Sequence, residues 1–193
     1  MEQEILEKSI PKIKEPGFWS ETFRFIIISL LVVIPIRLYI AQPFVVSGES
    51  MIPTFQNGEY LVVDEISYRL RSPARGEVII FKYPADPSKY FIKRIIGLPG
   101  EKVSLNGENV SVTTTDSEEI LLSEPYIEAP TFGNSVTTLG PNEYFVMGDN
   151  RSASSDSRIW GGLPKDNIVG RALLRLLPVA RASVLPGQVK ITE

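Results

Sequence analysis

The chain has 193 residues, 43% of them hydrophobic and 22% charged, so a packed core is expected and not disorder. A net charge of −3 supplies no basic field, which excludes nucleic acid as the partner. With no histidine and no cysteine, Ser-His-Asp and Cys-His catalysis, disulfides, and imidazole or thiolate metal sites are all removed.

Residues 1 to 22 read as a polar tail interrupted by Pro11 and Pro16. Residues 23 to 41, FRFIIISLLVVIPIRLYIA, are the one membrane candidate. As a helix they reach roughly 28 Å, against a hydrocarbon core of about 30 Å. Pro35 and Arg37 interrupt the end of the apolar run, and Arg24 and Arg37 can snorkel toward headgroups. The alternative is a buried core helix. Tyr39, Ile40, Gln42 and Pro43 stand where a cleaved leader needs small residues, so the segment reads as a retained anchor. Lys8, Lys12, Lys14 and Arg24 precede or open it, and no Lys or Arg occurs from Gln42 to Tyr68. Positive-inside asymmetry then puts the N-terminus in the cytoplasm and residues 42–193 outside.

Beyond the anchor the signals are those of strands. Glu59–Asp64, Glu77–Phe81 and Tyr90–Ile96 are β-branched or aromatic runs, bounded by turn residues such as Asn57-Gly58, Arg75-Gly76 and Pro99-Gly100. Val103–Val110 reads as a hairpin with Asn106-Gly107 at a type I′ tip. Glu143–Met147 and Ile168–Leu177 complete the set. Residues 101–140, rich in Thr, Ser, Glu and Asn, look like an inserted β subdomain. The expected fold is mainly β, an antiparallel catalytic core with that insertion, preceded by one transmembrane helix.

Three places can carry chemistry. Ser50 follows the flexible Ser47-Gly48-Glu49 and precedes the stiff Met51-Ile52-Pro53. Gly48 lets the backbone approach a substrate, a place for amide donors facing an oxyanion. Strand alternation sets Lys93 on one face with Phe91 and Ile95, and Ile92 with Arg94 on the other. A lysine so placed either snorkels from an edge strand or loses hydration, which lowers its pKa and makes it a base. Serine hydroxyl plus neutral lysine amine is one form of the nucleophile–base pair. The third place, Gly148–Arg158, crowds acids, amides, arginines and serines into one loop. It is either a solvated turn or a network that orients a neighbouring amine.

Four segments, in order, resemble the conserved boxes of bacterial type I signal peptidases, the leader peptidases. They are Ser47–Thr54, Arg75–Phe81, Tyr90–Gly100 and Gly148–Arg158, with an anchor before the first. The resemblance spans roughly residues 20 to 180. It implies Ser50 as nucleophile and Lys93 as general base, with Ser154 hydrogen-bonded to the lysine amine. It further implies an Asp156–Arg158 ion pair, Asp149 in the same network, and Phe44, Val46, Phe55 and Ile92 shaping small-residue pockets beside Met51. Gly48 stands where some members carry a hydroxyl, so backbone amides, chiefly that of Ser50, are left for the oxyanion. Ser152-Ala153 and Glu101 are further departures, neither touching the dyad.

The activity this implies is removal of signal peptides from exported preproteins after an A-x-A pattern, with no cofactor and no metal. The implied setting is the plasma membrane, single-pass, with the thylakoid membrane as an alternative, and a catalytic domain resting on the bilayer. A self-cleaving Ser-Lys repressor protease would instead be soluble with a DNA-binding N-terminus. A membrane-tethered β-module would lack Ser50 or Lys93. Ala180-Arg181-Ala182 is a crude A-x-A site in the chain's own tail, where the other reading is a core strand.

Overall fold

The computed structural model describes residues 17–35 and 41–189. Helix α1 (Phe18–Pro35) belongs to one compact unit and residues 41–189 to a second. Glu21 in the first turn of α1 complements the helix dipole, and Pro35 closes it. Trp19, Phe23, Phe25 and Leu31 are exposed along it. Against the predicted span of 23–41, α1 starts earlier and takes in the polar Ser20, Glu21 and Thr22. Residues 36–40 lie outside the described residues, and Ala41 already opens a strand. No helix among the described residues is long and apolar enough to cross a membrane.

The second unit is built on antiparallel strands. β1 (Ala41–Val45), β2 (Tyr60–Asp64), β3 (Val78–Tyr83) and β4 (Asp86–Gly97) come first. β5 (Lys102–Gly107), β6 (Asn109–Thr113), β7 (Glu119–Leu121) and β8 (Gly133–Thr138) follow. β9 (Glu143–Met147), β10 (Leu163–Pro164), β11 (Ile168–Leu177) and β12 (Ser183–Val184) are the last strands among the described residues. The main sheet runs β1-β2-β11-β3-β4-β9-β10, with β12 paired to β11. Pro43 is tolerated because β1 is an edge strand.

The centre of this sheet is apolar on both sides. Val78 and Ile80 face one core with Phe55, Leu61 and Val63, while Ile79 and Phe81 face another with Ile95, Tyr144 and Leu163. That explains the continuous Val-Ile-Ile-Phe run, since a strand covered on both faces has no polar side.

A second sheet, β7-β6-β5-β8, lies in sequence between β4 and β9. Its Val103, Leu105, Val110 and Val112 share a core with Ile96, Phe145 and Met147 of the main sheet. The β5–β6 tip is offset by one residue from the expected one. Asn106 pairs with Asn109, so Gly107 and Glu108 are central. Positive φ falls on Gly107 alone (+61°), the pattern of a type II′ turn, where glycine comes first, and not of type I′.

Candidate active site

β4 delivers Lys93 and the turn after β1 delivers Ser50. Lys93 Nζ donates to Ser50 Oγ at 2.7 Å and to the Ile92 carbonyl at 2.9 Å. The lysine is 4% exposed, and its ammonium position lies 5.4 Å from the centre of the Phe91 ring. Burial pushes its pKa down to about 8, opposed in part by the charges of Asp156 and Asp149. A neutral amine within hydrogen-bond reach of a hydroxyl can take its proton as that oxygen attacks a carbonyl.

Around this pair the charges are tied. Arg94, next in sequence, is wholly buried and meets Asp149 in a two-pronged pair, Nε to Oδ1 at 2.8 Å and Nη2 to Oδ2 at 2.6 Å. Its other nitrogen donates to the carbonyls of Gly76 (2.8 Å) and Gly187, and its guanidinium lies over the Tyr126 ring. Asp149 also accepts from the Thr54 hydroxyl, four residues after Ser50. Asp156 pairs with Arg158 through two contacts of 2.8 Å and accepts from Gly148 N–H at 3.0 Å. Arg158 in turn donates to the Arg151 carbonyl at 2.6 Å.

Backbone contacts seat the serine. Asn150 N–H donates to the Ser50 carbonyl at 3.0 Å, and Asn150 Nδ2 to that of Glu49 at 3.2 Å. Gly148 must be glycine for close approach, since a Cβ there would stand 2.4 Å from the Ser50 carbonyl oxygen. Arg181 reaches the carbonyls of Pro53 and Thr54, both at 3.2 Å, so the short 3-10 helix Val179–Arg181, with Ala182 just past its end, is clamped to the serine loop. Asn150, Thr54, Gly187 and Arg181 escape sequence reasoning. Their contacts are made by backbone atoms or across long separations that no local pattern signals.

A cleft of about 260 Å³ opens beside Ser50 and Lys93. Phe44, Val46 and Ile92 line it, joined by Leu61, Ile80 and Tyr90. Met51 and Phe55, expected at the pockets, are instead buried core residues beneath the cleft, at 1% and 0% exposure. Gly48 has φ of +95°, and its N–H already donates to Asn57 Oδ1 at 3.0 Å. The oxyanion role expected of it is therefore occupied, which leaves the Ser50 amide. Ser154 Oγ is buried against Gly148 but has no hydrogen-bond partner among the described residues, Lys93 included.

The family model described as "Signal peptidase, peptidase S26" matches residues 19–177. A protein of Synechocystis sp. named "Probable signal peptidase I-2" is 36% identical over 194 residues, covering 96% of this chain and 86% of that protein. Signal peptidase I of Leptolyngbya laminosa is 35% identical, covering 92% of this chain and 88% of its own. The chloroplastic thylakoidal processing peptidase 1 of Arabidopsis thaliana is 33% identical over 85% of this chain and 50% of its own length. The family match over residues 19–177 and relatives 35–36% identical over nearly the whole chain, joined to a serine beside a desolvated lysine, leave one conclusion: the chain belongs to the signal peptidase family, peptidase S26, a family of serine endopeptidases.

Proposed function

We propose that this enzyme removes signal peptides from exported preproteins, with Ser50 as nucleophile and Lys93 as general base. The observation that carries the proposal is the 2.7 Å contact between a buried amine and a hydroxyl at the wall of an apolar cleft. Lys93 takes the Ser50 proton as Oγ attacks the scissile carbonyl, and the Ser50 amide supports the oxyanion. The lysinium protonates the departing amine, leaving an acyl-enzyme on Ser50. Water activated by Lys93 then releases the signal peptide. Arg94–Asp149 and Asp156–Arg158 hold the loop, and Ser154 Oγ offers the lysinium a further acceptor. Phe44, Val46 and Ile92 bound shallow apolar pockets suited to alanine one and three residues before the cut, the A-x-A pattern.

The same reading places residues 1–22 in the cytoplasm, an anchor over 23–41 and the catalytic domain outside, with 101–140 as its inserted subdomain. The exposed apolar surface of α1 supports the anchor. A lipid contact by the catalytic domain is supported by exposed Val45, Tyr60 and Leu177, which are register neighbours across β1, β2 and β11, and by exposed Val179 and Val184. The plasma membrane is the proposed setting, and the thylakoidal relative supports the thylakoid membrane as its alternative. The test is cleavage of a labelled preprotein in detergent by wild type, Ser50→Ala and Lys93→Ala. Cutting after A-x-A by wild type alone is expected; activity surviving in Lys93→Ala would overturn the assigned base.

A further inference from the structure

The sheet face that floors the Ser50 cleft does not end with it. Along that face, side chains recur every second residue. Leu61, Ile80, Phe44 and Ile92 are its apolar members on β2, β3, β1 and β4. Moving away from Ser50, the next same-facing positions are Glu65 (past Val63), Lys82, Gln42 and Tyr90. On β1, β3 and β4 the change comes one step beyond the apolar residues, whereas β2 stays apolar at Val63, opposite Gln42, and turns polar only at Glu65, just past its end. Those residues, with Asp166 in the 3-10 turn just before β11, line a second cavity of about 380 Å³. Tyr90 lines both cavities and its ring lies 5.4 Å from that of Phe44, so the two adjoin at this pair.

The second cavity differs from the cleft in chemistry. Lys82 and Asp166 are exposed at it, and neither makes an ion pair or side-chain hydrogen bond among the described residues. With Glu65 and Arg69, which line the same cavity, they present both donors and acceptors, two groups of each sign. A large apolar side chain entering there would desolvate both without replacing their bonds to water. A hydroxyl or amide side chain satisfies either sign.

Resting on the signal-peptidase reading above, we infer that this cavity is a polar extension of the peptide cleft, receiving an uncharged polar side chain about five residues before the cut. The geometry follows from strand spacing. Residues one and three before the cut occupy the apolar stretch from Ser50 to Phe44. The next side chain on that face comes about 6.6 Å further on, over Tyr90 and into the polar cavity. The cleft thus checks for small apolar residues at the cut, and its extension checks that the segment before them is polar.

The full-length enzyme in detergent is given two preproteins identical except for Gln or Leu at the fifth residue before the cut. Wild type is expected to favour Gln about fivefold to tenfold in kcat/KM, mostly through KM. In Lys82→Leu/Asp166→Leu the ratio falls to about one, and each single variant lowers it part of the way. Equal cutting of both substrates by wild type, or a ratio unchanged in the variants, overturns the inference. Those results differ from failure of the reading beneath it, in which wild type would cut neither substrate.

Discussion

The two faces of β4 hold neighbouring cations in opposite circumstances. Lys93 is enclosed by apolar groups, its amine meeting only a hydroxyl and a carbonyl. Arg94, equally enclosed, is saturated by a carboxylate, two carbonyls and an aromatic ring. Burial without a counter-ion lowers a pKa and makes a base, whereas burial with one makes a rigid brace. The chemistry of the residue types fits each place. A guanidinium cannot give up its proton and suits the fork geometry of Asp149, while an amine can be neutral.

Exchanging the two circumstances has the largest expected effect. Lys93→Arg keeps the charge and much of the length but removes the base. The kcat should fall about 10³–10⁴-fold, no less than for Lys93→Ala, as measured by preprotein cleavage. Near-normal activity in Lys93→Arg would mean the proton goes elsewhere. In wild type the active form carries a neutral amine. Activity should therefore rise with pH, reach half its limit near 8 and level off above it, in a kcat/KM profile.

Breaking the brace acts on stability first. Asp149→Ala leaves Arg94 charged and buried, with an expected loss of about 3–5 kcal/mol in urea unfolding. The double variant Arg94→Met/Asp149→Ala should recover most of that, because no charge is then left unpaired. Activity should not recover with it, since the Thr54 contact beside Ser50 is gone as well. Recovery of both would reduce Asp149 to a counter-ion alone.

The unpaired face makes the reverse prediction. Below pH 8 the lysine is protonated in folded and unfolded chains, so the folded state carries the full burial penalty of about 3 kcal/mol. Between about 8 and the ordinary 10.5 the unfolded chain binds a proton that the folded one does not, and stability rises with pH. Lys93→Met should then stabilise the inactive protein by roughly 1–3 kcal/mol at pH 7, with the gain gone above about pH 10.5. Urea unfolding at the two pH values reads this directly.

What could be seen in the sequence divides along the same line. β9 and β11 were legible to the residue because their apolar runs end at turns, and the opposite placement of Lys93 and Arg94 follows from alternation alone. β4 begins before the expected Tyr90, at Asp86 opposite Tyr83, and Asp86 to Lys89 carry no apolar signal. Composition set residues 101–140 apart, but β7 and β8 within them were not legible, being short and mostly polar. Ser50 and Lys93 stood out through their neighbours. That Arg94 would be wholly buried was hidden, because its partners come from Gly76, Asp149 and Gly187, distant in sequence. Met51 and Phe55 were misplaced for a related reason. An apolar residue beside a nucleophile looks the same in sequence whether it lines the cleft or lies beneath it.

The smallest expected effect separates structure at rest from structure in the reaction. Ser154 Oγ is buried with no partner among the described residues, so removing it should not weaken the folded state. Ser154→Ala is expected to unfold within about 1 kcal/mol of wild type, or at higher urea. The neutral amine needs only the Ser50 hydroxyl and the Ile92 carbonyl, but the lysinium formed in the reaction has a third proton to place. If Ser154 accepts it, kcat should fall about tenfold with KM unchanged, and the half-rise of the pH profile should move lower, because one support of the charged form is lost. A fall in stability without a change in kcat would assign the hydroxyl to packing. The unpaired face of β4 would then keep its lysinium with the aid of Asp149 and Asp156 at longer range alone.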